Sequence, residues 1–329
     1  MEYRKSNQIP DLFVYDCTED ERRLFQEYGK AYELNIKMVK EALTIQTAAL
    51  AAGCDRISVS HRTPVTAEIL SIWKRSGVSY VSTRSVGCNH IDLEAARKLN
   101  VVIDTVEYSP ESVAEHTVML MLMALRDIKA QLTRVAEQDF SLPPYRSPEL
   151  RDMTVGVVGT GKIGRTVISY LKSFGCRVLA YDIYHNAEVE YVTYETLLRK
   201  SNIITYHIPL TDETEYMLNL KNIRYLKEGC YIVNTARGAL IESKALLRAL
   251  ESGKVAGAAL DVVENDEAYF YKNCKDHVID RNIERLCNLS NVIITPHTAF
   301  HTDHALHDTV ENTIKKSIRY ERKTEKWIS

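Results

Sequence analysis

Short apolar runs alternate with stretches of helical spacing between residues 11 and 104. The runs are rich in β-branched and aromatic residues, as buried strands are, and residues 44–52 and 66–76 between them have the spacing of helices. Strands that alternate with helices form βαβ units, which build parallel sheets. The predicted strands of this first series are residues 11–15, 34–39, 56–59, 78–82 and 101–104.

The same alternation returns after residue 153, with helices predicted at 196–200 and 244–252 and a long terminal helix at 306–325. Two series of strands predict the α/β fold class, with two parallel-sheet domains of the Rossmann-like or flavodoxin-like kind. The predicted strands of the second series are residues 155–158, 178–181, 203–208, 231–234, 257–262 and 292–295.

A buried helix is predicted between the two series. Ser109 suits an N-cap and Pro110 the first helical position, and the helix is predicted to run to about Lys129. From Val118 to Leu125 it is apolar nearly all round, which predicts burial between domains or at a subunit interface. The proline-containing stretch that follows, residues 138–150, is predicted to be a loop.

A glycine fingerprint follows the first strand of the second series. Gly159 permits a tight turn, Gly161 lets the backbone approach a pyrophosphate, and Gly164 lets the next helix pack closely on the strand. The N-terminus of that helix offers free N–H groups and a partial positive charge to phosphates. The next strand ends at Asp182, at the distance expected for an acid that binds a ribose diol. The sequence therefore predicts a dinucleotide site.

The acid also indicates which dinucleotide is bound. A carboxylate at Asp182 repels a 2′-phosphate, and residues 183–189 contain no Arg or Lys that could bind one. NAD is therefore predicted rather than NADP.

Three strand ends of the second series carry polar residues. Arg237 follows one strand, the acidic stretch 261–267 follows another, and His297 follows the last. Because the carboxyl ends of parallel strands meet at one edge of a sheet, these groups are expected beside the nicotinamide end of the dinucleotide. A guanidinium can bind a carboxylate or polarise a carbonyl, and an imidazole can donate a proton. Together they predict the reduction of a 2-keto acid.

Length and composition narrow the class of protein. At 329 residues the chain fits two domains, and 45% hydrophobic and 26% charged residues are ordinary for a globular protein. The net charge of −2 gives no basic surface for nucleic acid, and the longest apolar run is too short to span a bilayer. The N-terminal stretch 1–11 lacks the apolar core of a secretory signal, so a cytoplasmic location is expected.

Neither the cysteines nor the histidines predict a metal site. The seven cysteines are scattered and lack a CxxC pair, which favours reduced thiols. His297, His301, His304 and His307 have the three- and four-residue spacing of metal ligands on a helix. Pro296 and the strand before it place His297 in a loop, however, so no metal is expected.

The motifs together resemble the D-2-hydroxyacid dehydrogenases. The likeness extends over nearly the whole chain, and it is narrower for the D-lactate dehydrogenases, above all the group associated with vancomycin resistance. The segments that carry it are STRSVGCNHID (82–92), YSPESVAEHT (108–117), MTVGVVGTGKIG (153–164), HIPL (207–210), NTARGALIE (234–242), GAALDV (257–262) and NVIITPHTAF (291–300).

The resemblance implies a role for each matching residue. Arg237 corresponds to the arginine that holds the substrate, and His297 to the acid/base histidine. The substrate contacts that it implies are Val86 and Gly87, whose backbone N–H groups would take the carboxylate, together with Tyr108 and Phe300. Its implied cofactor contacts, beyond Gly159, Gly161, Gly164 and Asp182, are Lys162, Ile163, Ile208, Pro209, Thr235, Ala236 and Asp261.

Two positions depart from the family's pattern. The family has a glutamate five residues after the aspartate that ends the strand, whereas this chain has Asp266, which is shorter by about 1.5 Å. Asp266 is the predicted partner of His297, with Glu267 second and Glu264 a further candidate. Asp182 is not generally kept in the resistance-associated group, which supports NAD and weakens an assignment to that pathway.

The resemblance implies a two-domain dehydrogenase with its active site in the cleft between the domains. The substrate domain is predicted at 1–106 plus 299–329, and the NAD-binding domain at 107–298. A homodimer is expected to form through the helix after residues 108–110. The predicted reaction is the reduction of pyruvate or a related small 2-keto acid to the D-2-hydroxy acid. The alternatives are a bulkier substrate, such as phenylpyruvate or 2-ketoisocaproate, and a non-catalytic protein that senses NAD.

Overall fold

Two compact units make up the chain in this computed structural model, which describes residues 10–143 and 145–328, with side chains up to 321. The first unit contains the chain up to Ser109 and again from Thr302, and the second runs from Pro110 to His301. The first nine residues, which bear on the expected absence of a secretory signal, lie outside the described residues, as does Pro144 of the predicted loop.

The first unit is built on a five-stranded sheet with the order β2-β1-β3-β4-β5, in which every pair is parallel. Helices pack on both of its faces. Tyr15 and Trp73 are fully buried on one side, and Phe25 packs with Val310 and Ile314 of the terminal helix on the other. Its strands are β1 (Leu12–Val14), β2 (Ile36–Met38), β3 (Arg56–Val59), β4 (Tyr80–Thr83) and β5 (Val102–Thr105), and its helices are α1 (Glu19–Ala31), α2 (Ala67–Arg75), α3 (Leu93–Lys98) and α10 (Asp303–Ile328).

The second unit is built on a seven-stranded parallel sheet with the order β12-β11-β10-β9-β6-β7-β8. Its strands are β6 (Thr154–Val158), β7 (Arg177–Tyr181), β8 (Glu190–Tyr191), β9 (Ile203–Tyr206), β10 (Cys230–Asn234), β11 (Val255–Leu260) and β12 (Val292–Ile294). Its helices are α4 (Pro110–Leu125), α5 (Ile128–Ala136), α6 (Lys162–Ser173), α7 (Tyr194–Lys200), α8 (Ser243–Glu251) and α9 (Arg281–Asn288). The predicted α/β class with two parallel sheets is confirmed. The strand order reverses at β6, whose neighbours are β7 and β9, and this is where ligands bind in such sheets.

Two predicted helices differ from the structure. Residues 44–52 do not form an α-helix but a turn followed by a short 3₁₀ helix at Ala48–Ala51. The Thr47 hydroxyl accepts a hydrogen bond from the Thr44 backbone N–H at 2.7 Å and donates one to the Ala42 carbonyl at 2.8 Å, and such side-chain bonds compete with a helix. The helix predicted to reach Lys129 ends at Leu125, because Asp127 has left-handed backbone angles (φ 48°) and α5 begins after it.

Candidate active site

The carboxyl edge of the seven-stranded sheet collects most of the predicted site residues. Because all strands are parallel, the residues that directly follow them lie along one edge. These are the glycine turn after β6, Asp182 after β7, Ile208 and Pro209 after β9, Thr235 to Arg237 after β10, Asp261 after β11 and His297 after β12. Lys162 and Ile163 form the first turn of α6, and Phe300 lies three residues beyond His297.

The glycine turn is fitted to the protein on one side and open on the other. Gly159 has a left-handed φ of 99°, and a Cβ there would lie 2.5 Å from the His207 carbonyl oxygen. A Cβ on Gly164 would lie 2.1 Å from the Gly159 carbonyl oxygen, so helix and turn must pack closely. A Cβ on Gly161 would meet no protein atom within 4 Å. The protein's own packing therefore does not require Gly161, and the space beside it, at a helix N-terminus, fits a bound pyrophosphate.

The Asp182 carboxylate, which follows β7, is held by the glycine turn after β6 and by the backbone N–H of Tyr184. Its Oδ2 accepts hydrogen bonds from the Thr160 backbone N–H at 2.5 Å and from the Thr160 hydroxyl at 3.0 Å. Its Oδ1 accepts one from the Tyr184 backbone N–H at 3.0 Å. Burial raises the pKa of this carboxyl, but these bonds outweigh the effect and the pKa lies below its ordinary value. Asp182 is therefore ionised, as contact with a ribose diol requires.

The turn after β10 presents Arg237. The Asn234 side chain closes this turn, because it accepts a hydrogen bond from the Ala236 backbone N–H at 3.0 Å and donates one to the Arg237 carbonyl at 2.9 Å. Thr235 is almost fully buried, and its hydroxyl lies 2.8 Å from that of Thr117 in α4. A Cβ at Gly238 would lie 1.9 Å from the Val263 carbonyl oxygen. Only glycine therefore lets this turn lie against the segment that follows β11.

The loop that carries His297 is bound to Asp261. This carboxylate is fully buried and accepts hydrogen bonds from the Thr295 hydroxyl (2.5 Å) and from the backbone N–H groups of Thr298 (2.9 Å) and Ala299 (3.0 Å). The His116 Nε2 lies 3.4 Å from the same carboxylate. Burial raises the pKa of the Asp261 carboxyl, but these bonds outweigh the effect and hold the pKa below its ordinary value. Asp261 therefore holds the loop in place.

His116 and Thr295 were not among the predicted site residues. Nε2 of His116 also lies 3.2 Å from the Thr295 hydroxyl, so α4, β11 and the histidine loop meet in one polar cluster. One signal was available in the sequence. His116 and Thr117 are polar residues within a helix that is otherwise mostly apolar, and buried polar groups in such a setting need partners.

Two aromatic rings lie near the His297 imidazole. His297 has a left-handed φ of 55°, and its backbone N–H donates to the Asp261 and Thr295 carbonyls, each at 2.9 Å. The ring centroids of Tyr271 and Phe300 lie 5.8 and 5.9 Å from that of His297. Burial, and then the charge of Arg237, lower the pKa of His297 from 6.5 to about 4, while the charge of Asp261 opposes them.

Three carboxylates follow Asp261 on the chain, and they have different surroundings. Glu264 accepts hydrogen bonds from the Tyr216 hydroxyl at 2.5 Å and from the Ser243 backbone N–H at 3.0 Å, at the start of α8. Glu267 is exposed. Asp266 is partly buried and accepts one hydrogen bond, from the Val263 backbone N–H at 3.1 Å.

The charge state of Asp266 is unusual for a carboxyl. Burial, with the like charges of Glu267 and Asp261, raises its pKa from 3.8 to about 7, although the Val263 N–H and the charge of Arg237 oppose the rise. Arg237 thus acts electrostatically on both Asp266 and His297. A carboxyl with a pKa near 7 is suited to proton transfer near neutral pH, whereas the lowered pKa of His297 leaves the imidazole mostly unprotonated there.

The substrate contacts predicted in the first unit lie at its own carboxyl edge. Val86 and Gly87 are in the turn after β4, and the Ser85 hydroxyl donates to the Gly87 carbonyl at 2.7 Å. Tyr108 follows β5 and is partly buried. The turn is anchored by Arg84, whose guanidinium is buried and bonds Glu21 at 2.7 Å.

All seven cysteines are free thiols. Across residues 10–143 and 145–321, no group of three or more His, Cys, Asp or Glu side chains could hold a metal ion. In the same part of the chain no helix combines the length and the apolar character needed to cross a membrane.

Comparison with known proteins adds a family and its relatives. The sequence model of the D-isomer specific 2-hydroxyacid dehydrogenase NAD-binding domain matches residues 118–299. A D-specific alpha-keto acid dehydrogenase of Enterococcus faecium is 45% identical, over 95% of this chain and 98% of the relative. A D-lactate dehydrogenase of Lactiplantibacillus plantarum is 38% identical, over 94% of this chain and 96% of the relative.

Two further comparisons bear on substrate and cofactor. An aromatic 2-oxoacid reductase of Clostridium sporogenes is 38% identical, over 95% of this chain and 96% of the relative. The crystal structure of a D-lactate dehydrogenase from Aquifex aeolicus, complexed with NAD and lactic acid, has a TM-score of 0.84 and 32% identity, over 94% of this chain and 95% of that one.

Proposed function

Because the chain belongs to the D-isomer specific 2-hydroxyacid dehydrogenase family, we propose that it reduces pyruvate, or a related small 2-keto acid, to the D-2-hydroxy acid. It is an NAD-dependent oxidoreductase, and bound NADH supplies the hydride that reduces C2 of the keto acid. The single observation that supports this assignment best is geometric: Arg237, the acidic stretch 261–267 and His297 follow three neighbouring parallel strands, β10, β11 and β12, at one edge of the sheet.

Arg237 and His297 take the principal roles in the proposed mechanism. The Arg237 guanidinium binds the substrate carboxylate and polarises the carbonyl oxygen. His297 donates a proton to the oxygen that becomes the hydroxyl. The pKa of His297 is about 4, so its imidazole is mostly unprotonated at neutral pH in the enzyme without substrate. In the proposed mechanism the negative charge of the substrate raises this pKa as the substrate binds.

Asp266 is the proposed partner of His297, with Glu267 as the second candidate. Its pKa of about 7 means that at neutral pH a proton is available on the carboxyl, close to the charge of Arg237. Once ionised, the carboxylate stabilises the imidazolium. Glu264 is the weaker candidate, because its carboxylate is bonded to Tyr216 and Ser243.

The remaining roles are carried into the proposal from the sequence. Val86 and Gly87 would bind the substrate carboxylate, and Tyr108 and Phe300 would line the substrate pocket. We assign the first unit as the substrate domain, predicted at 1–106 plus 299–329, and the second as the NAD-binding domain, predicted at 107–298. The cofactor contacts proposed are Gly159, Gly161, Lys162, Ile163, Gly164, Asp182, Ile208, Pro209, Thr235, Ala236 and Asp261.

Steady-state kinetics test the proposal directly. Oxidation of NADH and NADPH is followed with pyruvate, 2-ketobutyrate, 2-ketoisocaproate and phenylpyruvate, and the chirality of each product is determined. We expect turnover with NADH, a D-product, and the highest kcat/KM on pyruvate or 2-ketobutyrate. An L-product, or no turnover on any of the four acids, would overturn the proposal.

A bulkier substrate is the second candidate. The aromatic 2-oxoacid reductase of Clostridium sporogenes is as similar to this chain as the Lactiplantibacillus D-lactate dehydrogenase, so identity alone does not separate them. A kcat/KM higher on phenylpyruvate than on pyruvate would select this candidate and leave the roles of Arg237 and His297 unchanged. A particular likeness to the resistance-associated group stays a prediction.

We also propose a homodimer. The predicted interface was the helix after residues 108–110, but its side chains Leu120 and Met121 are buried within the second unit, so we propose that the dimer forms through α5 and the loop after it. Exposed apolar side chains cluster in sequence on α5 and the loop after it: Leu132 is 63% exposed, Phe140 76% and Leu142 90%. Large contiguous apolar patches mark interaction surfaces, and we propose that these side chains belong to one. Light scattering on the purified protein should give twice the chain mass, and Leu142→Glu should lower the measured mass.

We also propose that the protein is located in the cytoplasm. The free thiols are consistent with this reducing compartment.

A further inference from the structure

Tyr191 of the edge strand β8 contacts two residues of the loop that follows Asp182 and one residue of the glycine turn after β6. Its hydroxyl accepts a hydrogen bond from the Ala187 backbone N–H at 3.0 Å. Its ring is stacked on that of His185, with centroids 3.9 Å apart and an interplanar angle of 13°. The same hydroxyl donates to the Thr160 hydroxyl at 3.0 Å.

These bonds form a directional chain that ends on the proposed ribose-binding carboxylate. The hydrogen of Tyr191 is available for Thr160, because the Ala187 N–H donates to the Tyr191 oxygen. The Thr160 hydroxyl can then donate its own hydrogen, either to Asp182 Oδ2 at 3.0 Å or to the Tyr184 carbonyl at 3.1 Å. Thr160 is fully buried, so water cannot replace the Tyr191 hydroxyl without a rearrangement.

We propose that Tyr191 is a positioning residue for cofactor selection, which orients the Asp182 carboxylate through Thr160 and thereby favours a nucleotide with a free ribose 2′-hydroxyl over one with a 2′-phosphate. This inference rests on the proposed role of Asp182. Tyr191 itself has no need to touch the cofactor.

The binding of the two nucleotides depends to different degrees on the orientation of the Asp182 carboxylate. The two hydroxyls of a ribose diol can both donate to one carboxylate only in a narrow range of orientations, whereas repulsion of a 2′-phosphate depends mainly on distance. Loss of the Tyr191 hydroxyl loosens the Asp182 orientation and removes the acceptor of the Ala187 N–H. It should therefore weaken NADH binding much more than NADPH binding.

The first test is Tyr191→Phe, which keeps the ring that stacks on His185. We expect the dissociation constant of NADH to rise about 5- to 10-fold, as for the loss of one or two buried hydrogen bonds, with kcat at saturating NADH within about twofold of the wild type. The NADH/NADPH ratio of kcat/KM should fall by about the same factor. A ratio within about twofold of the wild type would overturn the proposal.

A matched control is Tyr32→Phe. It removes a tyrosine hydroxyl that donates to Glu311 at 2.8 Å in the first unit, and the cofactor preference should not change. If Tyr191→Phe folds poorly, Thr160→Val is compared with Thr160→Ser. The valine removes the hydroxyl that links Tyr191 to Asp182 and should lower the NADH/NADPH preference. The serine keeps this hydroxyl and should retain the preference. Equal preference in both variants would contradict the inference.

A double-mutant cycle with Asp182→Asn separates failure of this inference from failure of its premise. If Asp182→Asn leaves the NADH/NADPH preference unchanged, the proposed role of Asp182 is wrong. If Asp182→Asn lowers the preference but Tyr191→Phe does not, the premise holds and only the role of Tyr191 fails. If the inference is right, Tyr191→Phe has little further effect on the preference in the Asp182→Asn background.

Discussion

Two carboxylates that lie five residues apart after β11 have opposite properties. Asp261 is fully buried, and yet its pKa lies below the ordinary value. Asp266 is only partly buried, and yet its pKa is raised to about 7. The difference lies in the hydrogen-bond donors. Asp261 has His116, the Thr295 hydroxyl and two backbone N–H groups, whereas Asp266 has a single backbone N–H.

The comparison shows that donors, more than depth, determine the charge of a carboxyl in this site. The two regions also have different roles. The Asp261 region, which includes the loop 295–299, has the bonds of a fixed scaffold that places His297. The Asp266 region has few bonds, so its carboxyl can exchange a proton near neutral pH.

The largest expected effect follows from His297→Gln, which keeps a polar side chain but removes the titrating group. We expect kcat to fall about 100- to 10,000-fold, the usual contribution of a general acid, while the fold is kept. Kinetics with matched circular dichroism check this. Turnover near the wild-type rate would contradict the role of His297 as the proton donor. The Asp261 region would then not hold a catalytic group.

Alanine at each aspartate compares the two regions directly. Asp261→Ala leaves the donors of Thr295, Thr298 and Ala299 unsatisfied and should lower the free energy of unfolding by about 3 kcal/mol. Asp266→Ala removes a carboxyl that is already costly to ionise and should change it by less than about 1 kcal/mol at pH 7. Urea unfolding measures both. Equal losses would show that the two carboxylates do not differ as described.

The pH dependence of stability gives a smaller effect with opposite signs. Asp266 holds a proton in the folded state between pH 4 and 7 that the unfolded chain releases, so its contribution falls as pH rises. His297 lacks a proton in the folded state between about pH 4 and 6.5 that the unfolded chain binds, so its contribution rises with pH. The two contributions therefore oppose each other in the wild type below pH 6.5.

Because the two contributions oppose each other, variants that remove one group at a time should show the pH dependence due to the other. Between pH 4 and 6.5, the unfolding free energy of Asp266→Asn should rise with pH relative to the wild type, and that of His297→Gln should fall. Each change should be on the order of 1–2 kcal/mol, because partial exposure screens the full linkage value. Urea titrations at several pH values check this. Slopes of the same sign in both variants would refute the opposed shifts.

The smallest effect concerns a contact between the two regions. The Tyr271 hydroxyl, on the segment after Asp266, donates to the His297 carbonyl at 3.3 Å. Tyr271→Phe keeps the ring beside the imidazole and should lower kcat/KM less than about threefold, because the loop is already held by Asp261. A tenfold loss would show that the second region also holds the histidine, which would weaken the division of roles.

The sequence predicted the strands and the edge on which they place chemistry. Short β-branched runs end close to the observed ends of β3, β6 and β10, because a buried parallel strand requires such residues along its whole length. The glycine fingerprint was informative for a similar reason. At Gly159 and Gly164 the backbone geometry admits no side chain, so the requirement is visible in the sequence itself.

Other features depend on contacts that no local pattern reveals. The two-residue strand β8 has too few residues to show a period, so Tyr191 was not singled out. The helix α4 ends early because Asp127 adopts left-handed angles, although its neighbours continue a helical pattern. Whether Asp266, Glu267 or Glu264 serves His297 depends on donors from distant segments, such as Tyr216 and Ser243 for Glu264.

The close approach of Gly238 to the Val263 carbonyl has a consequence for protein engineering. The backbones of residues 234–240 and 261–267 pack so closely that each conformation depends on the other. The two segments should therefore be inherited as one block when this chain is recombined with a homologue. Crossover points between those blocks are expected to give insoluble or inactive chimeras. Libraries that seek a new substrate preference can instead diversify Phe300 and Tyr271, whose rings border the histidine.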